Sequence, residues 1–219
     1  MLKPIARSFN NQAHQINEAA EKIHELIKNA PYSNDNIVLK RNEIKEAFFS
    51  PFKPQLKNAQ VFLSHSHADR NKALEVKDYL ESQTKRKVFI DSLFWDYKDD
   101  VLNKLARYDD ISKIEDAFTL ILRESLEYMI KKCPYFVFLQ SKNSVSLNQD
   151  LLKITYSAWI YEELKIANTL IADTTIKESH IKAMRISYDI TNLLGRFKPI
   201  SLDSLCKKIA FNLITKDAK

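Results

Sequence analysis

Three short apolar runs restrict the architectures open to this chain more than any other feature: AQVFL (59–63), VFI (88–90) and YFVFL (135–139). None alternates apolar with polar residues, which is the pattern of parallel strands covered on both faces. Helical periodicity fills the intervals, over 71–83, 113–132, 157–172 and 202–213. Weaker strand candidates lie at 181–187 (IKAMRIS) and 197–201 (FKPIS). Strands alternating with helices imply βαβ units and a parallel sheet. Five strands over residues 59–201 suit a flavodoxin-like, doubly wound α/β domain, assigned here to residues 58–219. The segment 97–112 is polar and irregular, and periodicity gives it no element.

The first part of the chain reads differently. Ile16, Ala20, Ile23 and Ile27 recur at helical spacing and share one face. Asn29, Ala30 and Pro31 end that run, because the residue before a proline is pushed out of the α region. A second helical stretch covers 41–49, and Pro51 and Pro54 mark a linker. Residues 1–57 are therefore expected to form a helical N-terminal extension.

Composition then removes whole classes of function. The chain has a single glycine, Gly195, far from any strand-loop-helix that could bind phosphate. The Walker A loop and the dinucleotide fingerprint each need several glycines, so that backbone N–H groups can approach phosphates. A nucleotide would have to be held by side chains and helix ends. The net charge of +6 is diffuse: residues 1–57 hold nine Lys/Arg against six Asp/Glu, half of the surplus. The densest basic cluster, Lys85, Arg86 and Lys87, falls where a helix should end and a strand begin, a position that favours cations. Specific nucleic-acid binding is not expected. No apolar run is long enough to span a bilayer, and the N-terminus lacks a secretory h-region. Two distant cysteines, Cys133 and Cys206, fit free thiols in a reducing cytoplasm.

In open parallel sheets, ligands bind beyond the carboxyl ends of the strands. That rule selects SHSHADR (64–70), DSLFWDY (91–97) and QSKNS (140–144). Trp95, in the second loop, and Trp159, on the helix after the third strand, are the only tryptophans, and both fall at this edge. Trp159 and Glu163 are four apart and share a helical face, while Glu162 adjoins it. Periodicity does not choose between the two glutamates, and a surface helix rich in Glu with a core Trp gives the same pattern. His65 and His67, with Asp69 or Asp91 nearby, could begin a metal site. No third histidine or cysteine stands at motif spacing, so a loop and helix-start role is preferred, with Asp69 capping the helix from about residue 70. A Ser/His/Asp hydrolase is disfavoured because no serine sits in a glycine-flanked elbow.

These residues also match a known family. VFLSHSHADR (61–70), then a helix, then VFID (88–91), resembles the opening of TIR domains, bacterial ones in particular. SAWIYEEL (157–164) is similar to the TIR signature of Ser, Trp two later, and Glu-Leu four and five after the Trp. In that register the catalytic glutamate is Glu163, not Glu162. The sequence departs from the family at Ile160, where many members have Cys, and at SLFWDYKDD (92–100), which lacks the usual Pro and Gly. Residues 1–57 lie outside the resemblance.

The resemblance implies cleavage of NAD+ at the nicotinamide–ribose bond, with NAD+ as substrate and no cofactor or metal. A glycosidase usually needs a second carboxyl to protonate its leaving group. Nicotinamide is already cationic in NAD+ and leaves as a neutral ring, so the single carboxylate of Glu163 suffices to stabilise or bond the ribosyl cation. Trp159 and Ser157 would then flank the carboxylate. Ser64, His65, Ser66 and Asp69 would line the nicotinamide side, with Phe94 or Trp95 stacking on a ring. Capture by water gives ADP-ribose, and capture within the molecule gives a cyclic isomer. Small standalone TIR proteins of this sort resemble those of Thoeris antiphage systems, which make a nucleotide signal for a separate effector. Self-association through the TIR domain is implied as well. Two other readings stay open: a non-catalytic TIR assembly module, and an enzyme resembling nucleoside deoxyribosyltransferases, which also use a glutamate on a related sheet.

Overall fold

The computed structural model describes residues 5–30, 32–33, 36–37, 40–50, 53–106, 112–149, 151–170 and 187–214. Among these, the side chains of 5–16, 32–33, 36–37, 54–55, 92–97, 113–114 and 212–214 lie outside the description. The fold is mixed α/β and divides into two compact units. One comprises Met1–Asn58 and Ser92–Ser125, the other Ala59–Asp91 and Leu126–Lys219. Where the sequence was divided at residues 57 and 58, the structure also assigns Ser92–Ser125 to the N-terminal unit.

The first unit is built from helices α1 (Ile5–Lys28), α2 (Arg41–Phe49), α3 (Lys53–Asn58) and α5 (Ser92–Leu105), with a short antiparallel pair, β1 (Tyr32–Ser33) and β2 (Asn36–Ile37). Helix α6 (Ser112–Lys132) begins in it. Along α1, Ala20, Ile23 and Ile27 are buried, as their spacing requires, and Ala19 joins them. The helix packs against α2 and α5. Phe48 anchors this core, with its ring edge-on to Phe49 at 4.9 Å and to Phe118 at 5.1 Å. Of the segment 97–112, read as irregular, residues 97–105 belong to helix α5, and 107–111 lie outside the described residues. Val101, Leu102 and Leu105 are buried at helical spacing, and that short stripe is enough to fix the helix among polar neighbours.

The second unit carries a three-stranded parallel sheet in the order β4-β3-β5, formed by β3 (Ala59–Ser64), β4 (Lys87–Ile90) and β5 (Tyr135–Phe138). The central strand β3 is buried at every position except Gln60, which accounts for its unbroken apolar run. Helix α4 (Arg70–Thr84) connects β3 to β4 and packs on α9 (Leu202–Ile214), where the Tyr79 hydroxyl donates to Asp203 at 2.7 Å. Lys85 ends α4 in the left-handed region (φ 58°), and Glu81 then accepts the Val88 N–H at 2.9 Å and pairs with Lys87. The basic cluster 85–87 thus serves the helix-to-strand junction.

A second sheet was not anticipated. It is antiparallel in the order β6-β7-β8, from β6 (Ser146–Leu147), β7 (Lys153–Thr155) and β8 (Tyr188–Asp189). The strand expected at 181–187 falls, apart from Ser187, outside the described residues. The strand expected at 197–201 is not formed. Pro199 has no N–H for a ladder, and the Ser201 hydroxyl accepts the Ser204 N–H at 3.3 Å at the start of α9. Phe197 instead packs on a cluster of Ile160, Leu164, Ile190, Leu193 and Leu194. That cluster seats α7 (Ala158–Thr169) against α8 (Thr191–Gly195). Among the described residues no helix is long and apolar enough to cross a membrane.

Candidate functional site

Parallel pairing makes β3 and β4 end on the same side. Leu63 pairs with Ile90, so Ser64 and Asp91 follow as neighbours at the carboxyl edge of the sheet. Both side chains are buried, as is His65. Helix α7 supplies the fourth member. Its buried residues are Ile160, Glu163, Leu164, Ala167 and Asn168, so Glu163 sits among the apolar Ile160, Leu164 and Ala167 on the buried face. Glu163 is 1% exposed, whereas its neighbour Glu162 is only half-buried. Packing therefore separates two glutamates that periodicity left equal.

The Ser64 hydroxyl donates to Glu163 Oε2 in a short hydrogen bond. Burial pushes the Glu163 carboxyl well above the usual range; the negative charge of Asp91 and a hydrogen bond with the Asp91 carboxyl push it further, while the Ser64 bond acts in the opposite direction. His65 Nδ1 lies 3.6 Å from Asp91 Oδ1, beyond hydrogen-bond length. Burial lowers the His65 pKa, against the opposing pull of Asp91, the Leu63 backbone and Asp69. Burial thus disfavours the charged imidazole. Both ring nitrogens of His65, together with Asp91 Oδ1 and Glu163 Oε1, are buried without a hydrogen-bond partner. Among the described residues no group of three or more His, Cys, Asp or Glu is placed to hold a metal.

The other candidates are engaged elsewhere. Ser66 is extended and its carbonyl accepts the Asp69 N–H at 2.8 Å, opening a 3-10 turn over His67–Asp69. Asp69 makes no side-chain cap to α4, correcting that expectation. Its carboxylate instead accepts the Ser141 hydroxyl and, at 2.8 Å, the Asn143 amide, tying the first loop to the third. Held by these two bonds, the carboxylate does not turn back to the N–H groups of the first turn of α4. Ser157 caps α7 by accepting the Ile160 N–H at 3.3 Å, and its own N–H donates to buried Thr155 at 3.2 Å. Trp159 is half-buried one turn before Glu163. Phe94 and Trp95 fall in the first turn of α5, where the sequence had suggested a loop, and their side chains lie outside the described residues.

The structure thus gathers Glu163, Ser64, His65 and Asp91, and leaves Asp69 and Ser157 in supporting bonds. Asp91 was considered in the sequence only as a possible metal ligand. The signal that finds it is its place one residue past a strand paired in parallel with the strand of Ser64. No family model matches the chain, and neither does any curated protein or solved structure.

Proposed function

We propose that this chain is a TIR-type enzyme that cleaves NAD+ at the nicotinamide–ribose bond, with Glu163 as the reacting carboxylate. One observation carries the reading: Glu163 is the buried, Ser64-bonded glutamate of its helix, grouped with residues at the carboxyl edge of a parallel sheet. The strand order β4-β3-β5 supports it too, being second-first-third in chain order, as in the first three strands of a flavodoxin-like sheet.

The chemistry proceeds by charge. The C1′–N1 bond breaks with its electron pair on the ring nitrogen, and neutral nicotinamide leaves without a general acid. The Glu163 carboxylate stabilises the ribosyl cation or bonds to it transiently. Water then adds and gives up a proton to yield ADP-ribose, or a hydroxyl or adenine nitrogen of the same molecule closes a cyclic isomer. Trp159 stacks on a ring of the substrate. The setting is cytoplasmic and Thoeris-like: self-associated TIR domains make a nucleotide signal in antiphage defence for a separate effector.

Glu163→Gln is expected to reduce nicotinamide release by about 100-fold or more, while Glu162→Gln stays near wild type. Release undiminished in Glu163→Gln would sink the site assignment. Mass spectrometry after incubation with NAD+ separates linear from cyclic product, which differ by one water. Competition by deoxynucleosides would point instead to deoxyribosyl transfer. A second reading is a non-catalytic assembly module, favoured by exposed Leu147, Leu151, Leu152 and Tyr156 on the β6–β7 hairpin and the segment leading to α7. It stands if the assembled protein releases no nicotinamide.

A further inference from the structure

Two buried carboxyl groups meet in this site, and the described residues give neither one a cation. Asp91 follows β4 beside Ser64, the Ser64 hydroxyl donates to Glu163 on α7, and the two carboxyls lie within hydrogen-bonding reach of each other. Among the described residues no Lys or Arg forms a salt bridge with either, and His65 Nδ1 lies 3.6 Å from Asp91 Oδ1. Ionised carboxylates only accept hydrogen bonds. Two in contact therefore repel, and each leaves an oxygen unmet: Asp91 Oδ1 and Glu163 Oε1. One proton between them makes one group a donor and relieves the repulsion.

The described residues around the pair supply no bonded cation. His65 faces Asp91, with burial and His67 disfavouring its charge and Asp91 and Asp69 favouring it. Ser64, on β3, contributes a hydroxyl alone. On the elements packed against α7, Lys153 of β7 and Asp189 of β8 are exposed. Arg196, just past α8, donates to the Asn168 carbonyl at 3.4 Å.

We propose that Asp91 and Glu163 form a one-proton carboxyl pair that gives up its proton in exchange for the positive charge of an N-ribosyl pyridinium, so that the site selects a cationic leaving group. The inference rests on reading Glu163 as the carboxylate of NAD+ cleavage, and makes Asp91 a positioning residue for it. As the cationic ring enters, the carboxyl O–H bond breaks and the proton passes to solvent. Both carboxylates are then ionised beside the substrate, and bond cleavage follows as above. The oxidised dinucleotide, with its cationic ring, is a ligand; NADH, whose dihydropyridine ring is neutral, is not.

The test is carboxyl 13C NMR of the full chain across pH, with the Glu163 resonance assigned by its loss in Glu163→Gln. Wild type should show two coupled steps for the pair, the upper one well above ordinary carboxyl values. In Asp91→Asn, Glu163 should titrate in one step, lower by about a pH unit or more. The acidic limb of kcat/KM for nicotinamide release should move down with it, where a merely structural role for Asp91 would lower the rate at all pH values alike. In weak buffer, mixing wild type with NAD+ should give a burst of about one proton per site, ahead of the one proton that accompanies each nicotinamide hydrolysed, and NADH should give no burst. Independent titration of the two groups in wild type, or equal proton release with NADH, overturns the pair, and neither readout depends on the Asn variant folding. A shared proton seen by NMR in a protein that releases protons with NAD+ but no nicotinamide would leave the pair standing and remove the enzyme reading.

Discussion

Ionising Glu163 means placing a negative charge beside Asp91 and away from water, opposed only by the Ser64 bond. Its folded-state pKa lies above the unfolded value. The stability it contributes is therefore fully present below the ordinary Glu range, near pH 4.5, and is lost as pH rises toward the folded pKa, at up to about 1.4 kcal/mol per pH unit. Gln keeps the shape and carries no charge. Glu163→Gln should thus match wild type near pH 4 in urea unfolding and exceed it increasingly between pH 5 and 8; a constant offset would show that burial does not govern this carboxyl. Ser64→Ala should act the other way on ionisation, moving the acidic limb of the nicotinamide-release profile to higher pH. Cys133 offers an independent check on burial at the same scale. Its thiol is pushed up to about 11, chiefly by desolvation. At pH 8 roughly one molecule in a thousand is thiolate, so a thiol reagent should modify Cys133 only after unfolding.

At the scale of elements, α7 decides whether Glu163 is in place. The Ser157 cap meets one of the orphan N–H groups of its first turn, and Asn168 closes its last turn by donating to the Leu164 carbonyl at 2.8 Å and the Leu193 carbonyl at 3.1 Å. Ser157→Ala should cost about 1 kcal/mol in chemical denaturation. An unchanged midpoint would mean that packing of Ile160 and Leu164 fixes the helix start unaided. Helices and central strands of this unit were legible because local periodicity and burial agree there, as in the unbroken run of β3 and the stripe of α7. The antiparallel sheet was not legible. Strands of two or three residues such as β6, β7 and β8 carry too few positions to display a period, and their pairing is set by partners distant in sequence. Residues 197–201 failed for a different reason: FKPIS was a weak strand candidate, and Pro199 and the helix-starting Ser201 forbade a strand. The choice between Glu162 and Glu163 needed packing, because neighbours on a helix differ only in which face meets the sheet.

At the scale of the whole molecule, the sealing of Glu163 limits what a single copy can do. A carboxyl at 1% exposure cannot touch a ribose until the residues around it move. That movement is opposed by the Ser64–Glu163 bond, by the Asp69 bonds to Ser141 and Asn143, and by the apolar cluster under α7. Opening should therefore be rare in an isolated chain, and the apparent affinity for substrate falls in proportion to the open fraction. Self-association that favours the open arrangement would raise that fraction by mass action. Nicotinamide release per chain should then climb with protein concentration, over the range in which sedimentation velocity detects assembly, and should vanish in Glu163→Gln at every concentration. A Glu163-dependent rate per chain that stays constant from dilute to concentrated solution would place the opening within one copy. It would also separate catalysis from any assembly through the exposed Leu147, Leu151, Leu152 and Tyr156.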